Sequence, residues 1–145
     1  MGQVVTHSLV KALRAVPGLA GLDDGTLLGV VGDSANLAWR NGSVIFERGS
    51  PADGLYVVLA GAVRILGDAG EEVNVLRPGD FFGEFSLVLD TQHMNDVVAA
   101  EDTELMVVPK ETFDRLIDSS PELGRQVRRK LEERLPDELR AQLPR

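Results

Sequence analysis

The chain has 145 residues, 43% hydrophobic and 26% charged, with a formal net charge of -8. That is the composition of one soluble globular domain, long enough to bury roughly two-thirds of its unfolded surface. With no cysteine, disulfides, Cys-ligated zinc and thiol catalysis are excluded, and the acidic balance argues against non-specific binding to nucleic acid or anionic lipid.

The N-terminus, Met1 to His7, lacks the basic region and long apolar core of a signal peptide. No apolar run approaches the ~20 residues of a membrane span, so a cytoplasmic location is expected. Residues 1–36 are expected to be helical. Leu9, Leu13 and Val16 recur at helical spacing behind a cap at Thr6. Pro17-Gly18 breaks the pattern, and Asp23 is placed as the N-cap of a second helix with Leu22 and Leu27 as its hydrophobic staple. Gly29 and Gly32 weaken that helix, so it is short or closely packed by a neighbour.

Residues 37–109 change to strand periodicity. Val44-Ile45-Phe46, Leu55 to Leu59, Val63 to Leu66, Val73 to Leu76, Val97 to Ala100 and Glu104 to Val108 are short and rich in β-branched residues. Turn signals separate them, among them Gly67-Asp68-Ala69-Gly70 and Glu101-Asp102. The pattern predicts an antiparallel sandwich or roll. Residues 110–135 return to helices. Phe113, Leu116 and Ile117 share one face. Ser120-Pro121-Glu122 starts a second helix that carries Leu123, Val127, Leu131 and Leu135 at i, i+4 spacing and stops at Pro136. Residues 136–145 read as a frayed tail.

The stretch from Arg77 to Asp96 interrupts the strands. Pro78-Gly79 makes a turn, and Phe81-Phe82-Gly83-Glu84 leads into one or two helical turns ending near Leu89. Gly83 brings bare backbone to a point where a side chain would obstruct. Free N–H groups at a helix start suit an anion, and Glu84 can accept hydrogen bonds from sugar hydroxyls. A buried turn with a Glu capping its own helix fits equally well.

Other chemistry is scarce. The two histidines, His7 and His93, lie far apart in sequence, too few for the metal site of a β-roll enzyme. No nucleophile elbow, Walker-type loop or dinucleotide fingerprint is present. The carboxylate pairs Asp23-Asp24, Glu71-Glu72 and Glu101-Asp102 each sit at a turn or helix start and read as solvated surface. Catalysis is not expected. Arg125, Arg128, Arg129, Lys130 and Arg134 on the final helix, interrupted by Glu132 and Glu133, read as a solvated face with i, i+4 pairs or as a face for a partner domain.

Taken together, Ile45 to Gly61 resembles the first signature of cyclic nucleotide-binding domains, and Phe82-Gly83-Glu84-Phe85-Ser86-Leu87 is similar to the start of their phosphate-binding cassette. The resemblance runs from about Leu9 to Leu135. It implies a single domain over residues 1–145, mainly β with flanking helices. The fold would be an antiparallel eight-stranded jelly roll (a double-stranded β-helix) with N-terminal helices, a short cassette helix within residues 79–96 and two C-terminal helices. It implies that the cassette receives the cyclic phosphate, that Glu84 binds the ribose hydroxyl, and that Gly83, Phe85 and Ser86 line the pocket. Leu131, Arg134 or Leu135 would then cap the base as a ligand-driven lid.

One departure bears on affinity. The family's second signature continues to an Arg that pairs with the phosphate. Here Gln92-His93-Met94-Asn95-Asp96 occupies those positions, and no Arg lies between Arg77 and Arg115. His93, Met94 and Asn95 therefore stand where the phosphate contacts are expected. A charge-assisted hydrogen bond contributes roughly 1.5–3 kcal/mol, so losing the Arg costs about one to two factors of ten in affinity. A protonated His93 is a partial substitute, since its reference pKa is ~6.5; Arg48, Arg64 or Arg77 would have to reach the site from elsewhere.

Two functions fit. One is a regulatory sensor that binds cyclic AMP, cyclic GMP or a related small anion weakly and signals through its C-terminal helices to an effector domain or protein. The other is a degenerate domain that has lost nucleotide binding and acts as an interaction module. A different ligand in the same roll is a third option, with haem disfavoured by the shortage of histidine. No cofactor, nucleic acid or membrane partner is expected, and a homodimer is compatible with the sequence.

Overall fold

A computed structural model describes residues 2–16, 18–89 and 91–134. The expected tail, Leu135 and Pro136 lie outside the described residues. Helices α1 (Gly2–Arg14) and α2 (Asp24–Asp33) precede eight strands: β1 (Ala35–Trp39), β2 (Val44–Phe46), β3 (Gly54–Ala60), β4 (Val63–Leu66), β5 (Glu72–Leu76), β6 (Phe81–Phe82), β7 (Asp96–Ala99) and β8 (Thr103–Pro109). Helix α3 (Glu84–Val88) sits between β6 and β7, and α4 (Lys110–Ser119) and α5 (Pro121–Arg134) close the chain.

The strands form two four-stranded sheets, ordered β1-β8-β3-β6 and β2-β7-β4-β5, with every pairing antiparallel. This is the expected jelly roll with flanking helices. β1 begins at Ala35, slightly ahead of the boundary expected at residue 37.

Strand β3 explains how the layers join. Its first five residues are all buried, because both of its faces are covered. Leu55 and Val57 belong to one apolar cluster with Leu13, Val16, Leu27, Met106, Phe113, Leu116, Leu123 and Val127. Tyr56 and Val58 belong to a second cluster with Val63, Ile65, Leu76, Val97 and Leu105. The two-residue side-chain period of a strand divides the residues between a helix-facing layer and the roll interior. β6 repeats the division within two residues: Phe81 joins the helix-side cluster and Phe82 the roll interior.

The helices are fixed by local signals. Asp23 caps α2, its Oδ1 accepting from the Thr26 N–H at 2.7 Å; Leu27 is buried and Leu22 packs against the same core. A Cβ at Gly29 or Gly32 would meet nothing within 4 Å, so α2 is short rather than tightly packed at its glycines. Thr6 is not a cap: α1 starts at Gly2 and Thr6 lies inside it, because the helix extends upstream of the apolar pattern that suggested the start. At the other end, Ser120 Oγ accepts from the Leu123 N–H at 3.1 Å and donates to the Gly18 carbonyl at 2.9 Å. Gly18 has φ +94°, and a Cβ there would lie 2.6 Å from Leu123 Cα. Only glycine lets α5 sit this close to the α1–α2 connection.

Candidate functional site

The cassette is held on the sheet by backbone hydrogen bonds. The Val58 N–H donates to the Asp80 carbonyl at 2.9 Å and the Gly79 N–H to the Val58 carbonyl at 3.0 Å. After α3, the Thr91 N–H donates to the Ser86 carbonyl at 2.9 Å, and Ser86 Oγ donates to the Gln92 carbonyl at 3.1 Å. The loop before β3 is tied to the end of the cassette. The Gly49 N–H donates to His93 O at 2.8 Å, the His93 N–H to Ser50 O at 2.9 Å, and the Arg48 N–H to Asp96 Oδ1 at 2.7 Å. The stretches 46–54 and 82–96 therefore form one unit, although they are far apart in sequence.

Gly83 lies at its centre with φ +90°. A Cβ there would lie 3.0 Å from the Gly54 carbonyl oxygen, 3.3 Å from Tyr56 Cδ1 and 3.9 Å from His93 Cε1. The left-handed conformation and the crowding both require glycine. Glu84 follows at the start of α3 and is 2% exposed. Its Oε1 pairs with Lys130 Nζ at 3.1 Å. The same nitrogen donates to the Phe81 carbonyl at 2.8 Å and lies 3.9 Å from the Phe81 ring centroid. A buried carboxylate is thus matched by a cation reaching in from α5, with a second acceptor and an aromatic face completing the cation's surroundings.

The expected phosphate side is different in kind. His93 is 3% exposed and its ring stacks on Phe46, with centroids 3.6 Å apart and planes at 6°. Phe46 also meets Tyr56 and Phe82, at 5.4 Å and 5.8 Å between centroids. Burial holds the His93 imidazole below its ordinary pKa, and the nearby Asp53 carboxylate opposes this only in part. The ring is therefore neutral at pH 7 and brings no charge to a phosphate. Its Nε2 is buried without a hydrogen-bond partner. Tyr56 Oη donates to Asp53 Oδ1 at 3.1 Å, and burial together with Asp53 pushes the phenol's pKa up.

Met94, Asn95 and Ser86 are engaged in the fold. Met94 packs against the helix-side core, and Asn95 Nδ2 donates to the Leu66 carbonyl at 2.9 Å. Ser86 is buried. Phe85 lies in α3 beside them. Arg48, between β2 and β3, pairs with Asp68 of the β4–β5 turn, while Arg64 on β4 and Arg77 after β5 are exposed. Gly83 and Glu84 thus meet Lys130 and the Phe46–His93 stack in one region, whereas Met94 and Asn95 direct their side chains elsewhere.

The chemistry of Lys130 alone does not distinguish it; in the sequence it reads as one member of a basic face. Position supplies the missing signal, since it falls seven residues after Leu123 and three after Val127, on the buried face of α5. A cleft of ≈ 220 Å³ lies apart from the cassette, between α2 and α4, lined in part by Thr26, Val30, Asp33, Thr112, Arg115 and Leu116. Among the described residues, no group of three or more His, Asp or Glu could hold a metal ion, and no helix is long and apolar enough to cross a membrane.

Comparison with known proteins gives a consistent result. A family profile described as the cyclic nucleotide-binding domain matches residues 37–120. The chain is 36% identical over 87 residues to the cyclic AMP receptor protein of Thermus thermophilus, covering 57% of this chain and 40% of that protein. It is 35% identical over 77 residues to the cAMP-dependent protein kinase regulatory subunit of Colletotrichum orbiculare, covering 52% and 20%. It thus spans less than half the length of either relative. Among solved structures, the regulatory domain of Toxoplasma gondii PKA with cAMP superposes with a TM-score of 0.70 at 25% identity, over 79% of this chain and 45% of that one. The sensor domain of the transcriptional regulator DNR from Pseudomonas aeruginosa superposes with a TM-score of 0.76 at 20% identity, over 90% and 91%.

Proposed function

The chain belongs to the cyclic nucleotide-binding domain family, and from that premise we propose that it is a non-catalytic, cytoplasmic ligand-sensing module that binds cyclic AMP or cyclic GMP weakly and signals through its C-terminal helices. The observation that carries this reading is Glu84. It is a carboxylate 2% exposed, set behind a glycine that only a bare backbone permits, and in direct contact with α5. A buried acid beside a helix start has the acceptor chemistry to take ribose hydroxyls. Its contact with α5 connects the site to the end of the domain.

The reading assigns ligand contact to Gly83, Glu84, Phe85 and Ser86, and to the segment His93, Met94 and Asn95, with Met94 and Asn95 contributing through their backbone since their side chains are engaged in the fold. Weak binding follows from charge. No Lys or Arg occurs from residue 78 to residue 109, His93 is held neutral, and Asp96 adds a negative charge to the same segment. A cyclic phosphate there finds no cation within the segment itself. The partner is an effector domain or protein on the C-terminal helices, in line with relatives that are regulatory subunits and receptor proteins. Isothermal titration with cyclic AMP and cyclic GMP tests the proposal. Heat saturating in the high-micromolar to millimolar range is expected, and no heat at millimolar ligand refutes it.

The second reading is an interaction module without nucleotide binding. The specific observation favouring it is that the Phe46–His93 stack packs beside Gly83 and Lys130 already pairs with Glu84. It leaves the same titration flat and requires a protein partner on the domain.

A further inference from the structure

We propose that Lys130 is an internal occupant of the ligand's hydroxyl site: it holds the last turn of α5 on the cassette until a hydroxyl-bearing ligand takes its place on Glu84. The inference rests on the ligand-binding reading above and specifies how that site is regulated.

Three contacts converge on one nitrogen. Lys130 Nζ pairs with Glu84 Oε1 at 3.1 Å, donates to the Phe81 carbonyl at 2.8 Å and sits 3.9 Å from the Phe81 ring centroid. All three partners belong to the cassette, and the lysine belongs to α5. The Glu84 side chain is 3% exposed and that of Lys130 is 22% exposed, so the lysine is the solvent-side member of the pair. An ammonium and a sugar hydroxyl can each donate a hydrogen bond to the carboxylate. A ligand that hydrogen-bonds Glu84 Oε1 from the solvent side therefore competes with Lys130 for that oxygen.

Displacement acts on the helix as a unit, because a single nitrogen makes all three contacts. Among the described residues, the other anchors of α5 lie toward its start: Leu123 and Val127 in the core, and Ser120 against Gly18. Losing Lys130 from the cassette frees the end of the helix while its beginning stays fixed. The same competition adds to the weakness of ligand binding, since part of the ligand's interaction energy goes into expelling the lysine.

The test uses the full chain, which has no cysteine, so Glu133→Cys carries a unique spin label near the end of α5. Label mobility is read by electron paramagnetic resonance, and cyclic AMP affinity by titration, in the parent and in Glu84→Gln and Lys130→Met backgrounds. In the parent the label is restricted, and cyclic AMP mobilises it. Glu84→Gln mobilises it without ligand. Lys130→Met does the same and binds cyclic AMP about tenfold more tightly, the equivalent of one displaced charge-assisted hydrogen bond. Because Lys130→Met leaves a buried carboxylate unpaired, Glu84→Gln keeps the mobility readout intact if that variant does not fold. A label that stays restricted in both variants, with cyclic AMP affinity unimproved in Lys130→Met, overturns the latch while leaving nucleotide binding standing. Freed labels with no cyclic AMP binding in the parent or in Lys130→Met overturn both displacement by ligand and the ligand reading itself, and leave only a structural clamp.

Discussion

His93 should make the domain less stable as the pH falls below neutrality. The ring is 3% exposed and stacked face to face on Phe46, and burial lowers its pKa with only partial opposition from Asp53. In the unfolded chain the same ring titrates near the reference value of ~6.5. Above that value both states are neutral, and His93 adds nothing to the pH dependence. Below it the unfolded chain takes up a proton that the folded chain refuses, so unfolding becomes easier until the pH reaches the lowered folded-state pKa. The slope is at most about 1.4 kcal/mol per pH unit, the free energy of one proton per unit. Urea unfolding at pH 7.5, 6.5 and 5.5 measures it, with His93→Gln as the comparison and His7→Gln introduced in both chains to silence the other histidine. Carboxylate effects cancel in the difference. The parent should lose more stability than the variant between pH 6.5 and 5.5, and the two should run parallel above pH 7. Parallel curves throughout, or a parent that gains stability on acidification, would refute the reasoning; the second result would mean that Asp53 rather than burial governs the ring.

Two further substitutions test how the helices are fixed. Ser120→Ala removes both the cap on α5 and the bond to the Gly18 carbonyl, and should cost about 1–2 kcal/mol, seen as a melting temperature lower by roughly 3–6 °C for a domain of this size. Gly29→Ala places a methyl where nothing lies within 4 Å, in the exposed middle of α2, and should stabilise by about 0.5–1 kcal/mol; a lower melting temperature would mean that the glycine serves a purpose other than helix formation.

The layers of the fold are legible where local chemistry and tertiary contact demand the same residue. Asp23 and Ser120 read as caps because their side-chain oxygens satisfy helix donors, and both do so in the structure. The β region reads as a roll because short β-branched runs end in turn residues. Two features escape that logic. Leu37 reads as apolar strand, yet it is 47% exposed, because β1 pairs only with β8 at a sheet edge. The continuous burial of β3 is likewise set by which strands and helices end up on its two faces, and a single strand's composition does not record that.

The site divides along the same line. Gly83-Glu84 is legible because a glycine that must adopt positive φ and an acid at a helix start are properties of adjacent residues. Lys130 is not, because its partner is 46 positions away in sequence, and the basic helix face offers four arginines of equal apparent standing beside it. Helical phase distinguishes it: residues 123, 127 and 130 share a face, and a cation on a buried face must find an anion or leave the core. The same requirement works in reverse on Glu84. A carboxylate 2% exposed needs hydrogen-bond donors, and in the structure Lys130 supplies one. Occupation of the acid by the domain's own lysine meets that need, and that occupation gives α5 a contact with the cassette for a ligand to break.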